Sequence, residues 1–432
     1  IPSLRSVDRV NNVTLYLRGL LQALHGCFNV VDVCELFELG HITLTTTSCK
    51  SKEKPLEGYL KCAVKADSPE ITGPRHILDL LTPKRTVYTN MWVILKPSCI
   101  LLCRKPSDPH PQTVILADQT MKIGVENEFT GRSQSRFGLP FTITIFYQRH
   151  GQRLKVRPEG RRADMQLWLE RLRQMAAESA WCQPHRFASY APIRHLQSLS
   201  GVEWLIDAKQ YYARAVKAME SAKSVIFVHG WWVSPELHLL RPSLAHPDYR
   251  LDRLLKRKAE EGVKVYILVF KEIAMTLSIN SAHTKSKLRR LHPNIRILRH
   301  PDHYSIGVFL WAHHEKMLVV DHREAYVGGL DFCYGRFDSP EHHLSDQGLG
   351  VYTGLDYANP LVKEYRQVTN PDSQTVDALL TPRMPWHDVQ VRLPGRIAGD
   401  LARHFIQRWN YVLHEKGLLT TPLLIPADSC DY

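Results

Sequence analysis

The sequence has no apolar run near the ~20 residues that a membrane-crossing helix needs. Its apolar runs are short, as in "VYILVF" at 265–270. The nine cysteines show no CxxC or Cys/His spacing, which argues against a zinc module. Their odd number in a 432-residue chain fits reduced cytoplasmic thiols better than a disulfide framework. There is no internal repeat and no low-complexity tract, so solenoids and linker-like polymers are excluded. No initiator Met and no signal-peptide pattern opens the chain, and "IPSLRSVDRV" reads as interior sequence. Truncation at both ends is therefore expected. Acidic residues are also in short supply, 43 against 56 Lys and Arg, for a net charge of +13. That balance favours an anionic partner: nucleic acid, acidic lipid headgroups or a phosphorylated substrate.

What is present falls into three regions. In 1–50, "NNVTLYLRGLLQALHG" carries a helical apolar stripe, with Asn11 or Asn12 to cap it and Gly26 to end it. Too little follows for a complete core. In 55–180, short β-rich stretches ("EGYLKCAV", "NMWVILK", "TVILAD", "FTITIFY") alternate with turn residues. One amphipathic helix closes the set, with Met165, Trp168, Leu169, Leu172, Met175 and Ala176 on one face. A small β-barrel with a capping helix is expected. From 181 to 432 the period switches. "AKSVIFVHGWW", "VKVYILVF", "NIRILRH" and "KMLVVD" read as buried strands, and "YRLDRLLKRKAEEG" as a helix ending at Gly262. Strand–helix–strand at this spacing predicts βαβ units and a mostly parallel sheet. Near the end, "GDLARHFIQRWN" turns Leu401, Phe405, Ile406 and Trp409 inward on a helix.

The stretch "WAHHEKMLVVDHREAYVGGLD" carries the chemistry. Strand alternation points His314 and Lys316 the same way, while Asp321 has the other parity and braces the strand end. An imidazole that attacks phosphorus beside an ammonium that neutralises its oxygens suits phosphoryl transfer through a covalent intermediate. Gly328 and Gly329 leave room for backbone to approach a phosphate. This arrangement requires no metal and no cofactor. A lone His-x-Lys is ordinarily a solvated pair, but the full string, H-x-K-x4-D-x6-G-G-x-D ending at Asp331, is far more specific.

That string resembles the HKD signature of the phospholipase D superfamily. The surrounding "VHGWWVSPE", "GGLDFCYGRFD", "TPRMPWHDVQ" and "ARHFIQRWN" resemble the eukaryotic enzymes, which place a PX and a PH domain before a two-motif catalytic core. The resemblance implies a multidomain chain. Residues 1–50 would be the end of a PX domain, 55–180 a β-rich PH-like domain with a C-terminal helix, and 181–432 the first half of an α/β catalytic domain.

It further implies hydrolysis of phosphatidylcholine to phosphatidic acid and choline, with His314 as nucleophile and Lys316 as phosphate ligand. Asp321 completes the signature, and Gly328, Gly329 and Asp331 support the site. Asp346, with Asp338 as the other candidate, takes the place of a carboxylate that orients the histidine. Trp231 and Trp232 are either pocket wall or core. Where the family commonly has Asp before that pair, this chain has Gly230. No second H-x-K-x4-D is present: "HEKG" at 414–417 is followed by Thr421. The family's other histidine is the general acid for the leaving alcohol, so a second HKD half is an implied partner. The basic stretch 147–162, with Arg149, Arg153, Lys155, Arg157, Arg161 and Arg162, is a phosphoinositide-facing rim or a solvated hairpin. The family also brings small GTPases as partners, with no residue here to carry them, and a peripheral place on the cytosolic face of membranes. Nucleic acid is not expected as a partner. The competing readings are a nucleic-acid phosphodiesterase on the same scaffold and a catalytically incomplete lipid-binding scaffold.

Overall fold

In the computed structural model, the described residues are 34, 40–46, 55–65, 87–125, 142–147, 152–158, 162–179, 181–182, 201–272, 279–301, 312–346, 348–359, 361, 370–418 and 420–427. The helix expected over 11–26 lies outside them, as do Arg149 and Arg161. The chain divides into two compact units, Ile1–Ile193 with Leu419–Asp431, and Arg194–Leu418.

The first unit holds a short helix, α1 (His41–Thr46), and seven strands: β1 (Leu56–Lys65), β2 (Thr89–Lys96), β3 (Cys99–Cys103), β4 (Thr113–Leu116), β5 (Lys122–Val125), β6 (Ile143–Tyr147) and β7 (Gln152–Pro158). They form one sheet in the order β4-β3-β2-β1-β7-β6-β5 with every pairing antiparallel. A single helix, α2 (Arg162–Glu178), closes it. Met165, Trp168, Leu172 and Met175 recur at helical spacing, and they are buried against Leu60, Ile145, Leu154 and Val156 of the sheet. Of the basic stretch, Arg157 is spent internally. Its Nε donates to Thr142 Oγ1 (3.0 Å) and its guanidinium lies 4.0 Å from the Tyr88 ring centre.

The second unit holds β8 (Glu203–Ile206), α3 (Asp207–Ser221), β9 (Val225–Gly230), α4 (Leu251–Glu260), β10 (Lys264–Val269), α5 (Ser281–Arg289), β11 (Ile295–Arg299), β12 (Met317–Val320), β13 (Glu324–Gly328), β14 (Val389–Pro394) and α6 (Arg396–Glu415). Gly262, with φ of 98°, ends α4 in the left-handed conformation that only glycine adopts freely. The sheet runs β11-β10-β9-β12-β13-β14-β8.

Here the expectation of a mostly parallel sheet is corrected. Only β9–β10 and β10–β11 are parallel, and the other four pairings are antiparallel. The two βαβ units exist as read. Then β12 enters beside β9 from the opposite direction, and β12 and β13 form a hairpin whose turn residues Asp321 and His322 have φ of 50° and 58°. Strands covered on both faces are apolar throughout, whichever way they run, so their composition carries no direction. One cluster of buried side chains from α3, α4 and the sheet forms the core, and α6 stacks Phe405 on Phe227 of β9 at 4.5 Å. Among the described residues no helix is long and apolar enough to cross a membrane.

Candidate active site at the junction of β9 and β12

Because β12 runs antiparallel to β9, the C-terminal end of one meets the start of the other, with Met317 paired to His229. His314, Lys316, Asp331 and Trp231, all singled out from the sequence, meet there. The H-E-K residues lie just before β12, in its run-in. Strict alternation fails in that run-in: His313 and Lys316 are buried, while His314 is exposed. The two functional groups nevertheless meet, at Trp231. The His314 ring lies 5.5 Å from the Trp231 ring, and Lys316 Nζ lies 5.9 Å from the same ring centre. Lys316 Nζ also donates to the carbonyl oxygen of His314 at 2.8 Å.

The carboxylate that fixes Lys316 is Asp331, 3.2 Å away and 2 % exposed. Asp331 also accepts the Trp231 N–H at 2.9 Å. Its backbone is held in turn, since Tyr212 Oη donates to the Asp331 carbonyl at 2.7 Å from the middle of the core. Burial pushes the Asp331 carboxyl up to about 6, although Lys316 and the backbone N–H groups of Trp231 and Trp232 pull it down. A carbon at Gly230 would press on Val233 and come within 3.2 Å of Asp331 Oδ1, so a larger residue at this corner requires those side chains to shift.

Burial, Lys316 and Arg336, in that order, lower the pKa of the His314 imidazole below its ordinary value. The neutral ring is the nucleophilic form. Arg336 is a second cation of the site that the sequence reading missed. Its guanidinium stacks 3.6 Å from the Trp386 ring centre and lies 5.6 Å from that of Trp232. Its only sequence signal is its place five residues after Asp331. Behind His314 lies a cluster of imidazoles that was also missed. His229 and His313 stack at 4.2 Å, and His404 Nε2 contacts Glu315 Oε2 at 2.5 Å. Burial holds His313 down to about 3, so it is a neutral wall, not a second cation.

Asp346 and Asp338, and Gly328 and Gly329, come out differently from expectation, whereas Asp321 braces the strand end as its parity implied. Asp321 is a clasp at the β12–β13 turn.

 Its carboxylate accepts the backbone N–H groups of Lys223 (2.7 Å), Ser224 (2.8 Å) and Val225 (2.8 Å) and the Ser224 hydroxyl (2.7 Å), which pins the start of β9 to the β12–β13 turn. Burial works to raise its pKa, but the hydrogen bonds from Val225, Ser224 and Lys223 outweigh it and hold the carboxyl below its ordinary value. The stability it adds is therefore present above about pH 4 and is lost as the pH falls through the lowered pKa. Asp321→Ala should cost on the order of 2–3 kcal/mol, read as a lower denaturation midpoint with an unchanged slope. An unmoved midpoint would remove the clasp.

Asp346, expected to orient His314, instead accepts the N–H groups of Gly350 (2.8 Å), Val351 (2.7 Å) and Tyr352 (2.8 Å). Asp338, the other candidate, binds Ser339 N, Trp386 N and His342 Nδ1. Both carboxylates organise loops, as short acidic side chains commonly do. Gly328 and Gly329 serve a close approach of chain to chain. A carbon on Gly328 would run into Val389 and Gln390 of β14, and one on Gly329 into Asp388. Of the basic stretch, only Lys155 and Arg157 have described side chains, and both are half-buried.

Known proteins share this arrangement of sequence. Residues 218–421 match the family described as Phospholipase D. Phospholipase D zeta 1 of Arabidopsis thaliana is 38% identical over 348 residues, which cover 78% of this chain and 32% of that protein. Phospholipase D zeta 2 of the same plant is 34% identical over 440 residues, covering 98% of this chain and 41% of its own length. Among solved structures, Nuc from Salmonella typhimurium, a phospholipase D family member, is 14% identical with a TM-score of 0.29, covering 49% of this chain and 94% of that one. The chain thus spans well under half the length of these curated relatives. With His314, Lys316 and Asp321 in the H-x-K-x4-D order inside the matched segment, the chain belongs to the phospholipase D superfamily.

Proposed function

We propose that this chain supplies the first half of an active site that hydrolyses phosphatidylcholine to phosphatidic acid and choline. The observation that carries the reading is the meeting of the His314 imidazole and the Lys316 ammonium at one tryptophan, with Lys316 held by a buried carboxylate. In this reading a nitrogen of neutral His314 attacks the phosphorus and the bond to the choline oxygen breaks. Lys316 and Arg336 offset the charge on the non-bridging oxygens. The histidine of a second HKD motif, from the other catalytic half, gives its proton to the departing choline. Water then attacks the phosphohistidine, releasing phosphatidic acid and restoring His314. The face of Trp231 suits the quaternary ammonium of choline.

A 55–180 PH-like domain, a PX-like domain ending near residue 50 and phosphoinositide contacts through the 149–162 rim belong to the same proposal. So does peripheral attachment to the cytosolic face of a membrane. Small GTPases are partners by family resemblance alone.

A covalent phosphohistidine does not distinguish water from a small alcohol. Phosphatidylcholine vesicles given a primary alcohol should therefore yield phosphatidyl alcohol at the expense of phosphatidic acid, with choline release continuing. Product analysis by chromatography of the full-length protein checks it. If choline release continued with no phosphatidyl alcohol at any alcohol concentration, direct attack by water would replace the covalent route.

A further inference from the structure

A second cluster of metal-ligating side chains lies outside the site of His314. Asp207 opens α3 with φ of 62° and is completely buried. Its backbone N–H donates to the Asp388 carbonyl at 2.9 Å. One carboxylate oxygen, Oδ1, is used: it meets His387 Nδ1 at 2.8 Å and accepts the Asp388 N–H at 3.2 Å. The other, Oδ2, is buried and accepts no hydrogen bond. It faces His342 Nε2 at 3.9 Å. The far nitrogen of that ring, Nδ1, is held at 3.0 Å by Asp338 Oδ2, and Asp338 is fixed by Ser339 N, Trp386 N and Arg383. The two imidazoles meet edge to face at 5.0 Å. One donor atom from each of Asp207, His342 and His387 lies within 4.8 Å of the others.

We propose that Asp207, His342 and His387 form a divalent transition-metal site, with Zn²⁺ the ion its chemistry suits. Two imidazoles and one carboxylate are the donor set that Zn²⁺ accepts, whereas Ca²⁺ and Mg²⁺ take oxygen donors. Asp338 supplies the outer carboxylate that sets the tautomer and direction of a ligating histidine. At bond lengths of about 2.0–2.2 Å, tetrahedral donors sit roughly 3.4 Å apart. The three groups therefore need a modest closure, and His387, with a side chain 68% exposed, is free to supply it. Three protein donors leave the fourth position to water. The ion would tie the start of α3 to the 338–342 loop and to the lead-in of β14, in the same unit as the HKD motif but built from other residues. A second grouping, His229, His313 and Glu315, is the weaker candidate, because Glu315 is already engaged by His404.

The test is Zn²⁺ binding to the metal-stripped full chain, measured by competition with a chromophoric chelator, with Co²⁺ absorption as a report on geometry. The parent should bind one Zn²⁺ at this site, and Co²⁺ should give the intense bands of a four-coordinate ion. His387→Ala, a change at an exposed side chain, should weaken that binding by more than the about 10–100-fold expected for Asp338→Asn. The double variant His342→Ala/His387→Ala should lose it. Circular dichroism of His387→Ala keeps a folding defect separate from loss of a ligand. No Zn²⁺ bound by the parent, or equal binding by the double variant, would overturn the proposal.

Discussion

His314→Ala in the full-length protein should lower choline release from phosphatidylcholine by on the order of 10⁴-fold, as removal of a nucleophile does elsewhere. The fold should be nearly indifferent. His314 is exposed, and among the described residues its side chain contributes a ring contact to Trp231 and no buried hydrogen bond. The stability change should stay within about 0.5 kcal/mol. The pH profile sharpens the test. Burial, Lys316 and Arg336 hold the imidazole below its ordinary value of 6.5, so the neutral nucleophile persists into mild acid. The acid limb of kcat/KM assigned to His314 should accordingly fall below pH 6.5. A mutant with ordinary activity would end the assignment of His314 as nucleophile and favour a lipid-binding scaffold whose chemistry lies elsewhere.

The legible part of this molecule was the part where one residue type has one use. A helix stripe such as Met165, Trp168, Leu172 and Met175 has a period that only burial on one face explains, and those side chains are buried. Histidine two residues before lysine, at the start of an apolar strand, has no packing purpose, and both side chains reach Trp231. The illegible part was where one residue type has several uses. Asp346 is an acidic side chain near a motif, and that description fits a turn-holding carboxylate as well as a catalytic one. Gly328 and Gly329 announce a close approach without naming what approaches, and β14 is what arrives. Strand direction was lost because "KMLVVD" is apolar on both faces, so β12 reads the same either way. The imidazoles of His229, His313 and His404 come from distant positions, and nothing local to any of them announces the others.

Lys316→Met offers the second large effect, on stability and activity together. It leaves Asp331, 2 % exposed, without its ion-pair partner at 3.2 Å. Breaking a buried pair from one side costs about 3–5 kcal/mol. The lower end applies here, because the Asp331 carboxyl, already pushed up to about 6 by burial, rises further once the ammonium is gone and can take a proton. For a carboxyl raised in the fold, the stability contribution is fully present below its unfolded value of about 3.9 and is lost as the pH rises through the folded value. The variant should therefore lose more stability than the parent between pH 5 and pH 8. Adding Asp331→Asn removes the unpaired charge while keeping an oxygen for the Trp231 N–H, and it should recover most of the lost stability. It should recover none of the activity, because the Lys316 ammonium does not return beside His314. Denaturation midpoints and choline release on the parent, the single variant and the double variant separate the two roles of Lys316. Activity that returned along with stability would make the lysine a strut for Asp331 and leave the phosphate to Arg336.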